Sequence, residues 1–304
     1  MTEQKSISLH AWAELLLLAA IWGASFVSVR VALDEIGPLT AVAHRVGWAA
    51  LVLWVVVIAM RLPVPRAPKV WGAFLGMGLL NNVIPFGLMA WGQLYIESGL
   101  TSILNGATAI FGVIAASIFF ADERITPRKA VGVCLGFVGL AVAIGVENLS
   151  HFDLRSLAQL AVITGTVSYA LASVWARKTL SGQPPQVAAA GMVTGATLIM
   201  LPLAWWVEGP LTLNLQTRTI SAIGYYALLG TAVAYLLYYR VLAMAGSGNL
   251  MVVTLLIPPF GIVLGAVLLT ETLHPSAYAG FALLALGLML LDGRIWRLGR
   301  VRAR

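Results

Sequence analysis

The stretch Phe119–Ile144 reads FFADERITPRKAVGVCLGFVGLAVAI, and the stretch Val267–Leu290 reads VLLTETLHPSAYAGFALLALGLML. Aligned at an offset of 148 residues, the two share six identities: Glu123 and Glu271, Pro127 and Pro275, Gly132 and Gly280, Leu135 and Leu283, Gly139 and Gly287, and Leu140 and Leu288. In each copy one apolar run precedes the Glu and another follows the Pro. A hydrophobic chain built from two such halves is typical of membrane transporters with internal repeats.

The composition is that of a membrane protein. Hydrophobic residues make up 60% and charged residues 10% of the chain, and the mean hydropathy is +0.91. Soluble domains contain about 25% charged residues. Because backbone polar groups in lipid must be hydrogen-bonded within their own segment, the sequence predicts an all-α integral membrane protein with ten transmembrane helices. The ten apolar segments are 11–33, 39–60, 70–95, 98–120, 128–146, 156–178, 186–207, 219–242, 247–269 and 275–292.

Basic residues are distributed unevenly between the two sides of this predicted protein. If the N-terminus is cytoplasmic, 15 of the 19 Lys and Arg residues lie on the inner side, and only Arg155 and Arg218 lie in outer loops. Cytoplasmic loops carry such an excess, so both termini are predicted to be cytoplasmic. Arg30 and Arg45 lie within spans. His44 and Arg45, in the outer third of the second span, could attract a carboxylate, but we expect the Arg45 side chain to extend to the membrane interface. The basic C-terminal tail is expected to set topology, with no nucleic-acid partner.

Five spans per half is an odd number, so the two halves must enter the membrane in opposite orientations. The first five-helix repeat is 1–146, and the second, which includes the basic tail, is 147–304. Inverted repeats usually enclose a site near the middle of the membrane, and one half rocks against the other to expose that site to each side in turn. Both repeats lie in one chain, so a monomer is sufficient, and the oligomeric state is left open.

Three sequence elements resemble a known transporter family. The pattern Glu-x3-Pro-x4-Gly-x6-Gly ends each half, Trp22-Gly23-x-Ser25-Phe26 lies in the first span, and Ala245–Asn249 precedes Ile257–Phe260. Together they are similar to EamA members of the drug/metabolite transporter (DMT) superfamily, and within it to YddG-type aromatic amino acid exporters. The resemblance implies a multi-pass secondary transporter of the bacterial inner membrane that exports small metabolites, most of all amino acids including aromatic ones. A nucleoside or drug/metabolite permease is the alternative within the family.

Prolines within the spans predict helix distortions. Pro85 removes one helical hydrogen bond and leaves the carbonyl of Asn81 beside the amides of Asn81 and Asn82. The second half has Pro258–Pro259 where the first has Ile110–Phe111. The fourth span is therefore expected to be straighter than the ninth.

Polar and aromatic side chains near the midpoints of spans are the candidate substrate-binding residues. Polar side chains are costly in lipid, so they should face a cavity or a partner helix, and amides can bind a zwitterion without carrying charge. For each candidate, packing or bridging of helices is the alternative role. The candidates are Trp22, Asn81, Asn82, Asn105, Thr108, Tyr169, Thr231, Tyr235 and Thr254. We expect interfacial positions for the tyrosines that flank the eighth span, namely Tyr225, Tyr226, Tyr238 and Tyr239.

Features missing from the sequence narrow the mechanism. No Asp or Glu lies near the midpoint of a span, where proton-coupled carriers commonly place a carboxylate. A facilitator is the simplest mechanism, and a proton-coupled antiporter using Glu14 is the alternative. There is no Walker loop, no metal-ligand spacing and only one cysteine, Cys134, so we expect no ATP drive, cofactor, metal or disulfide.

Two other function classes stay open at this stage, an intramembrane enzyme and a non-transporting membrane scaffold. An enzyme would need a paired nucleophile and base, or clustered acids and histidines, at matching depth. The four histidines lie near the ends or in the outer thirds of spans, which does not favour an enzyme. The expected partners are a small-molecule substrate and the lipid bilayer.

Overall fold

The computed structural model describes residues 8–121, 125–144, 154–212, 214–245 and 253–292, and in these ranges the chain is helical without any β-strand. Five helices begin at a proline, a residue that has no N–H to leave unbonded in the first turn. Numbered in chain order, the helices are α1 (Leu9–Ala32), α2 (Pro38–Ala59), α3 (Pro68–Gly92), α4 (Ser98–Phe119), α5 (Pro127–Ile144), α6 (Leu154–Thr179), α7 (Pro185–Glu208), α8 (Thr217–Gly224, Tyr225–Val233 and Ala234–Ala245), α9 (Val253–Leu269) and α10 (Pro275–Asp292).

The helices have the length and composition of membrane-spanning segments. In the described ranges, seven of them are long and apolar enough to cross a bilayer. Three shorter helices are also apolar, over Lys129–Ile144, Leu256–Leu269 and Pro275–Leu290. The predicted all-α, multi-pass membrane protein is thereby confirmed.

Packing joins helices from both halves of the chain. Helix α5 packs along α10, and α2 packs along α7. Helix α1 lies against α8 and α9, while α6 lies against α3 and α4. Helices α3 and α8 both contact the α2–α7 pair. Each of these contacts has a counterpart at the offset of 148 residues, since the contacts of α1 with α8 and α9 match those of α6 with α3 and α4, and the contact of α2 with α8 matches that of α7 with α3. Helices of one half therefore pack against helices of the other.

Glycines bring α5 and α10 into backbone contact. A Cβ atom at Gly139 would lie 2.5 Å from the backbone nitrogen of Leu284, and one at Gly280 would collide with the backbone of Ala143. Small residues permit this close approach between membrane helices, where van der Waals packing is a main source of attraction. The glycines of the repeated sequence element therefore act in packing.

Both α3 and α8 contain a π-helical stretch at corresponding positions. The stretches are Leu79–Val83 and Tyr225–Val233, and the first maps inside the second at the offset of 148. In α3 the wider turn precedes Pro85, which cannot donate a backbone hydrogen bond. The hydroxyl of Ser168 on α6 donates instead to the carbonyl of Leu80 at 2.6 Å. The distortion expected at Pro85 is thus a π-helical turn whose spare acceptor is bound by a neighbouring helix.

The prediction of a straighter fourth span is wrong. Helix α4 is interrupted after Asn105 and resumes at Thr108, whereas α9 continues as one helix through Pro258 and Pro259. Asn and Gly are poor helix formers, and the interruption lies at Asn105-Gly106. Gly106 also packs closely against the side chain of Leu284.

Candidate functional site

A cavity of about 520 Å³ lies between helices of the two halves. Two predicted site residues do not reach it, because Asn82 and Thr231 lie behind its wall and are 0% and 1% exposed. The other seven predicted residues line it: Trp22, Asn81, Asn105, Thr108, Tyr169, Tyr235 and Thr254. The interruption of α4 lies at the cavity wall, since the residues on either side of the interruption, Asn105 and Thr108, both line the cavity.

The two adjacent amides of α3 converge on one tyrosine of α8. The side-chain N–H groups of Asn81 and Asn82 each donate to the hydroxyl of Tyr235 at 3.1 Å. Asn81 lies at the cavity wall, while Asn82 is fully buried and its Oδ1 atom has no partner in the described residues. The pair therefore joins α3 to α8 and fixes the position of the Tyr235 hydroxyl.

Arg45 of α2 lines the cavity, contrary to the expectation that it extends to the membrane interface. Its Nε donates to the hydroxyl of Thr231 at 3.0 Å, and a terminal nitrogen donates to the hydroxyl of Ser25 at 3.1 Å. The guanidinium also lies 3.9 Å above the ring centre of Phe86, within cation–π distance. These contacts from α1, α3 and α8 hold the side chain inside the protein, although none of the three partners carries a negative charge.

The π-helical stretch of α8 helps to build this cradle for Arg45. Thr231 donates its own hydroxyl hydrogen to the carbonyl of Tyr226 at 2.8 Å, which leaves the oxygen lone pairs for Arg45. The neighbouring Gly230 gives Ser25 room, because a Cβ atom there would lie 2.9 Å from the Ser25 hydroxyl. Thr231 therefore contributes to the site as a support for Arg45.

Aromatic rings form much of the remaining wall. Trp22 and Tyr238 have ring centres 6.0 Å apart, and Phe86 meets Tyr169 edge to face at 6.4 Å. Tyr238 and Tyr239 both line the cavity, so their predicted interfacial position is wrong. The helical period explains the error: these residues lie near an end of the span, but they lie on the face that α8 turns to the cavity.

The cavity is closed at one end. At the end where α2 begins and α3 ends, the lining residues Ala41, Val42 and Gln93 are each 2% exposed. Toward the opposite end, where α6 ends, the lining residue Ser173 is exposed. The lining residues are therefore more exposed toward the side on which α1 begins than at the opposite end.

Comparison with known proteins decides the family. Residues 11–145 and 156–291 each match the EamA-like transporter family. The chain belongs to this family. The resemblance to the EamA family is thereby confirmed, and the protein is a transporter and not an enzyme.

Individual relatives of this EamA transporter align over nearly their whole length. A probable amino-acid metabolite efflux pump of Salmonella typhimurium is 27% identical, with 94% of this chain and 96% of that protein covered. A probable terminal-alkyne amino-acid exporter of Streptantibioticus cattleyicolor is also 27% identical, with 97% of both chains covered. A solved crystal structure of another protein has the same fold, with a TM-score of 0.66 at 15% identity over 95% of this chain and 98% of that one.

Carboxylates of the EamA transporter connect the two halves at the closed end. Glu208 accepts hydrogen bonds from the backbone N–H groups of Leu39 and Thr40, at the start of α2. Further contacts of this kind at the same end are made by Glu271 with Ser98 and Gly99, Glu35 with Gln216, and Glu97 with Arg155. Carboxylates are favourable at helix N-termini, where backbone N–H groups are unpaired. They hold this end of the cavity together.

Two features of this site were missed in the sequence. Snorkelling places Arg45 at the interface, although the sequence also has Ser25 and Thr231 at comparable depth in other spans, and these hydroxyls indicate possible partners for Arg45 inside the protein. Gln93 lies at the end of its span, so depth in the membrane does not identify it as a lining residue. In the described part of the chain no group of three or more potential metal ligands comes together.

Proposed function

We propose that this EamA transporter exports small metabolites, with amino acids including aromatic ones as the first class. The observation that carries the proposal is a cavity between the two halves whose lining residues are nearly inaccessible at one end and more exposed toward the other. Amides, hydroxyls and aromatic rings line it, and such groups suit a small solute with polar and apolar parts. The names of two relatives, an efflux pump and an exporter for amino-acid compounds, support the same class.

The transport cycle we propose is alternating access by two inverted five-helix repeats, 1–146 and 147–304, with ten membrane-spanning helices. Three observations support it: the sequence repeat, the corresponding π-helical stretches and the recurring pattern of helix contacts. The uneven distribution of Lys and Arg supports cytoplasmic termini, and the bacterial efflux pump and exporter among the relatives support a bacterial inner-membrane location. In that orientation the cavity opens to the cytoplasm, where an exporter takes up its substrate.

Labelling of single cysteines tests this orientation. In a Cys134→Ser background, a cysteine at position 153 should react with a membrane-impermeant thiol reagent in intact cells. A cysteine at position 66 should react only after the membrane is permeabilised. The reverse pattern would overturn the proposed topology.

For energy coupling we propose a facilitator that needs only the substrate gradient. Among the described residues that line the cavity, none is Asp or Glu. A carrier can alternate when its substrate binds both states, without a coupled ion. Proton antiport through Glu14 is the second candidate, because this buried carboxylate contacts Arg240 and His10 near the start of α1. If an imposed pH gradient drives uptake and Glu14→Gln abolishes it, the facilitator mechanism is refuted and proton antiport is supported.

Counterflow in liposomes tests transport itself. Liposomes containing purified protein and excess unlabelled solute should accumulate labelled phenylalanine or leucine, and protein-free liposomes should not. Exchange of uridine without any amino acid would favour the nucleoside permease instead. The expected participants are the solute and the bilayer alone.

A filled cavity provides a matched control for the same assay. Gly112 lines the cavity and has open space around it, so Gly112→Trp should abolish flux while the protein still folds. Gly72 also has open space around it and is not among the residues that line the cavity, so Gly72→Trp should leave flux unchanged. Normal flux through a folded Gly112→Trp variant would show that solute does not pass through this cavity.

A further inference from the structure

We propose that Arg45 binds the carboxylate of the transported solute, and that the site selects organic carboxylates with an aromatic or large apolar body. The solute needs a carboxylate and does not need an amino group. This inference rests on the proposed transport function and specifies its substrate class. It predicts that monoanions bind better than zwitterions, and zwitterions better than cations.

The charge of the cavity is the first reason. Arg45 is the only charged residue among the described residues that line it, and no described carboxylate forms an ion pair with it. A permanent cation at this depth is costly unless it is paired. An anionic ligand supplies the missing partner.

The geometry of Arg45 is the second reason. A guanidinium has five N–H groups, and two of them donate to Thr231 and Ser25. Three N–H groups are left without a hydrogen bond to the described residues. The side chain is only partly buried and borders the cavity, so these donors are available to a ligand. Because Phe86 and the two hydroxyls already hold the guanidinium plane, little side-chain entropy is lost when a carboxylate binds.

Tyr235 provides a second donor for the same anion. Its oxygen already accepts from the amides of Asn81 and Asn82, and its own hydrogen has no acceptor in the part of the chain that the structure describes. Tyr235 lies about one helical turn beyond Thr231, whose hydroxyl accepts from Arg45, and both Tyr235 and Arg45 line the cavity. A carboxylate accepts several hydrogen bonds, so it can use both groups at once.

The ammonium group of an amino acid finds no comparable partner. The described lining residues include no carboxylate, and Arg45 repels a second cation in a medium of low dielectric constant. Aromatic faces such as those of Trp22 and Tyr238 can attract an ammonium only weakly by comparison with an ion pair. The amino group is therefore tolerated and not required.

Four analogues that share a phenyl group test the inference on the wild-type protein. They are N-acetylphenylalanine, phenylalanine, N-acetylphenylalaninamide and 2-phenylethylamine, which are a monoanion, a zwitterion, a neutral molecule and a cation at pH 7. Binding to the full-length purified protein is measured by calorimetry, and movement by counterflow in liposomes. The acid should bind about tenfold to a hundredfold more tightly than its neutral amide, the range expected for a hydrogen-bonded charge.

Variants of the basic side chain sharpen the test. Arg45→Gln should abolish the difference between the acid and its amide, and Arg45→Lys should keep part of it. Arg30→Gln is the matched control, because Arg30 is also in a span but pairs with Asp34 outside the cavity. It should leave the order of the four analogues unchanged.

The outcomes separate the site from the transport function. Equal binding of the acid, the amide and the amine to the wild-type protein overturns the anion site, and so does an anion preference that persists in a folded Arg45→Gln variant. If the analogues are transported without any preference for anions, the transport function is supported and the anion site is refuted. If the acid binds selectively but no analogue is transported, the anion site is supported and the transport function is refuted. A protein that neither binds nor moves any of the four contradicts both proposals.

Discussion

Glu271 accepts two hydrogen bonds from Ser98, one from the backbone N–H at 2.8 Å and one from the hydroxyl at 2.9 Å. The Gly99 N–H donates to the same carboxylate at 3.1 Å. Ser98 and Gly99 begin α4 and are buried, while Glu271 belongs to the repeated sequence element of the other half. This glutamate is therefore an N-terminal cap supplied across the two halves, and its counterpart Glu123 lies outside the described residues.

Glu271→Ala should lower the free energy of unfolding by about 1–3 kcal/mol, because it leaves buried donors at the start of α4 without an acceptor. The midpoint of thermal unfolding in detergent measures the change. Asp34→Asn is the control, since Asp34 is 49% exposed and its ion pairs contribute about 0–1 kcal/mol. Equal effects of the two variants would contradict the capping role.

Glu208→Ala should open the closed end of the cavity more often. In this variant the Leu39 and Thr40 N–H groups lose their acceptor, the Glu208 carboxylate, whose hydrogen bonds join α7 to the start of α2. In a Cys134→Ser, Ala41→Cys background, a thiol reagent added on that side should react about fivefold faster than with Glu208 present, as a loss of about 1 kcal/mol implies. An unchanged labelling rate would mean that Glu208 does not hold this end closed.

Tyr235→Phe should destabilise the protein by about 1–3 kcal/mol, because two amide donors lose their shared acceptor. Adding Asn82→Leu should then cost less than it does alone, since its amide has already lost this partner. Chemical or thermal unfolding of the four proteins of this cycle gives the coupling energy. Tyr278→Phe, at an exposed tyrosine, is the control. If the effects of Asn82→Leu and Tyr235→Phe are strictly additive, the hydrogen bond between these two side chains does not contribute to stability.

Gly280→Leu should prevent α5 and α10 from packing and strongly lower the yield of folded protein. The new side chain would meet the backbone of Ala143, which cannot move aside as a flexible side chain could. Gly87→Leu is the control within α3, because open space surrounds Gly87. Size-exclusion profiles of the two variants after detergent extraction compare them. A monodisperse Gly280→Leu protein at wild-type yield would refute the close contact.

Trp22→Ala should reduce transport of phenylalanine more than transport of leucine. The Trp22 ring lies beside Tyr238 in the cavity wall, and aromatic pairs contribute about 0.5–1.5 kcal/mol beyond buried area. The ratio of the two fluxes in counterflow should fall severalfold. Trp206→Ala, at an 86% exposed tryptophan, is the control and should leave the ratio unchanged. Equal losses of phenylalanine and leucine transport in Trp22→Ala would argue against stacking of the substrate on Trp22.

The sequence alone determined the membrane class, the helix positions, the repeat and seven of the residues that line the cavity. Each of these depends on local properties: the length of an apolar run, a proline at a helix start, or the depth of a polar side chain in lipid. Asn81, Asn105 and Tyr235 could be selected in this way because a polar group near a midpoint is costly wherever its partner lies. The repeat was visible because both copies keep the same spacing.

Only the tertiary structure decided which of these residues face the cavity and which support it. Asn82 and Thr231 have the same depth and chemistry as their neighbours, but they lie behind the wall, and Arg45 lies at the wall instead of the interface. The hydroxyl that binds Arg45 Nε comes from Thr231, 186 residues away on a π-helical turn. A charged side chain remains at depth only where such partners meet it, and their meeting is set by the packing of distant helices rather than by the sequence around Arg45.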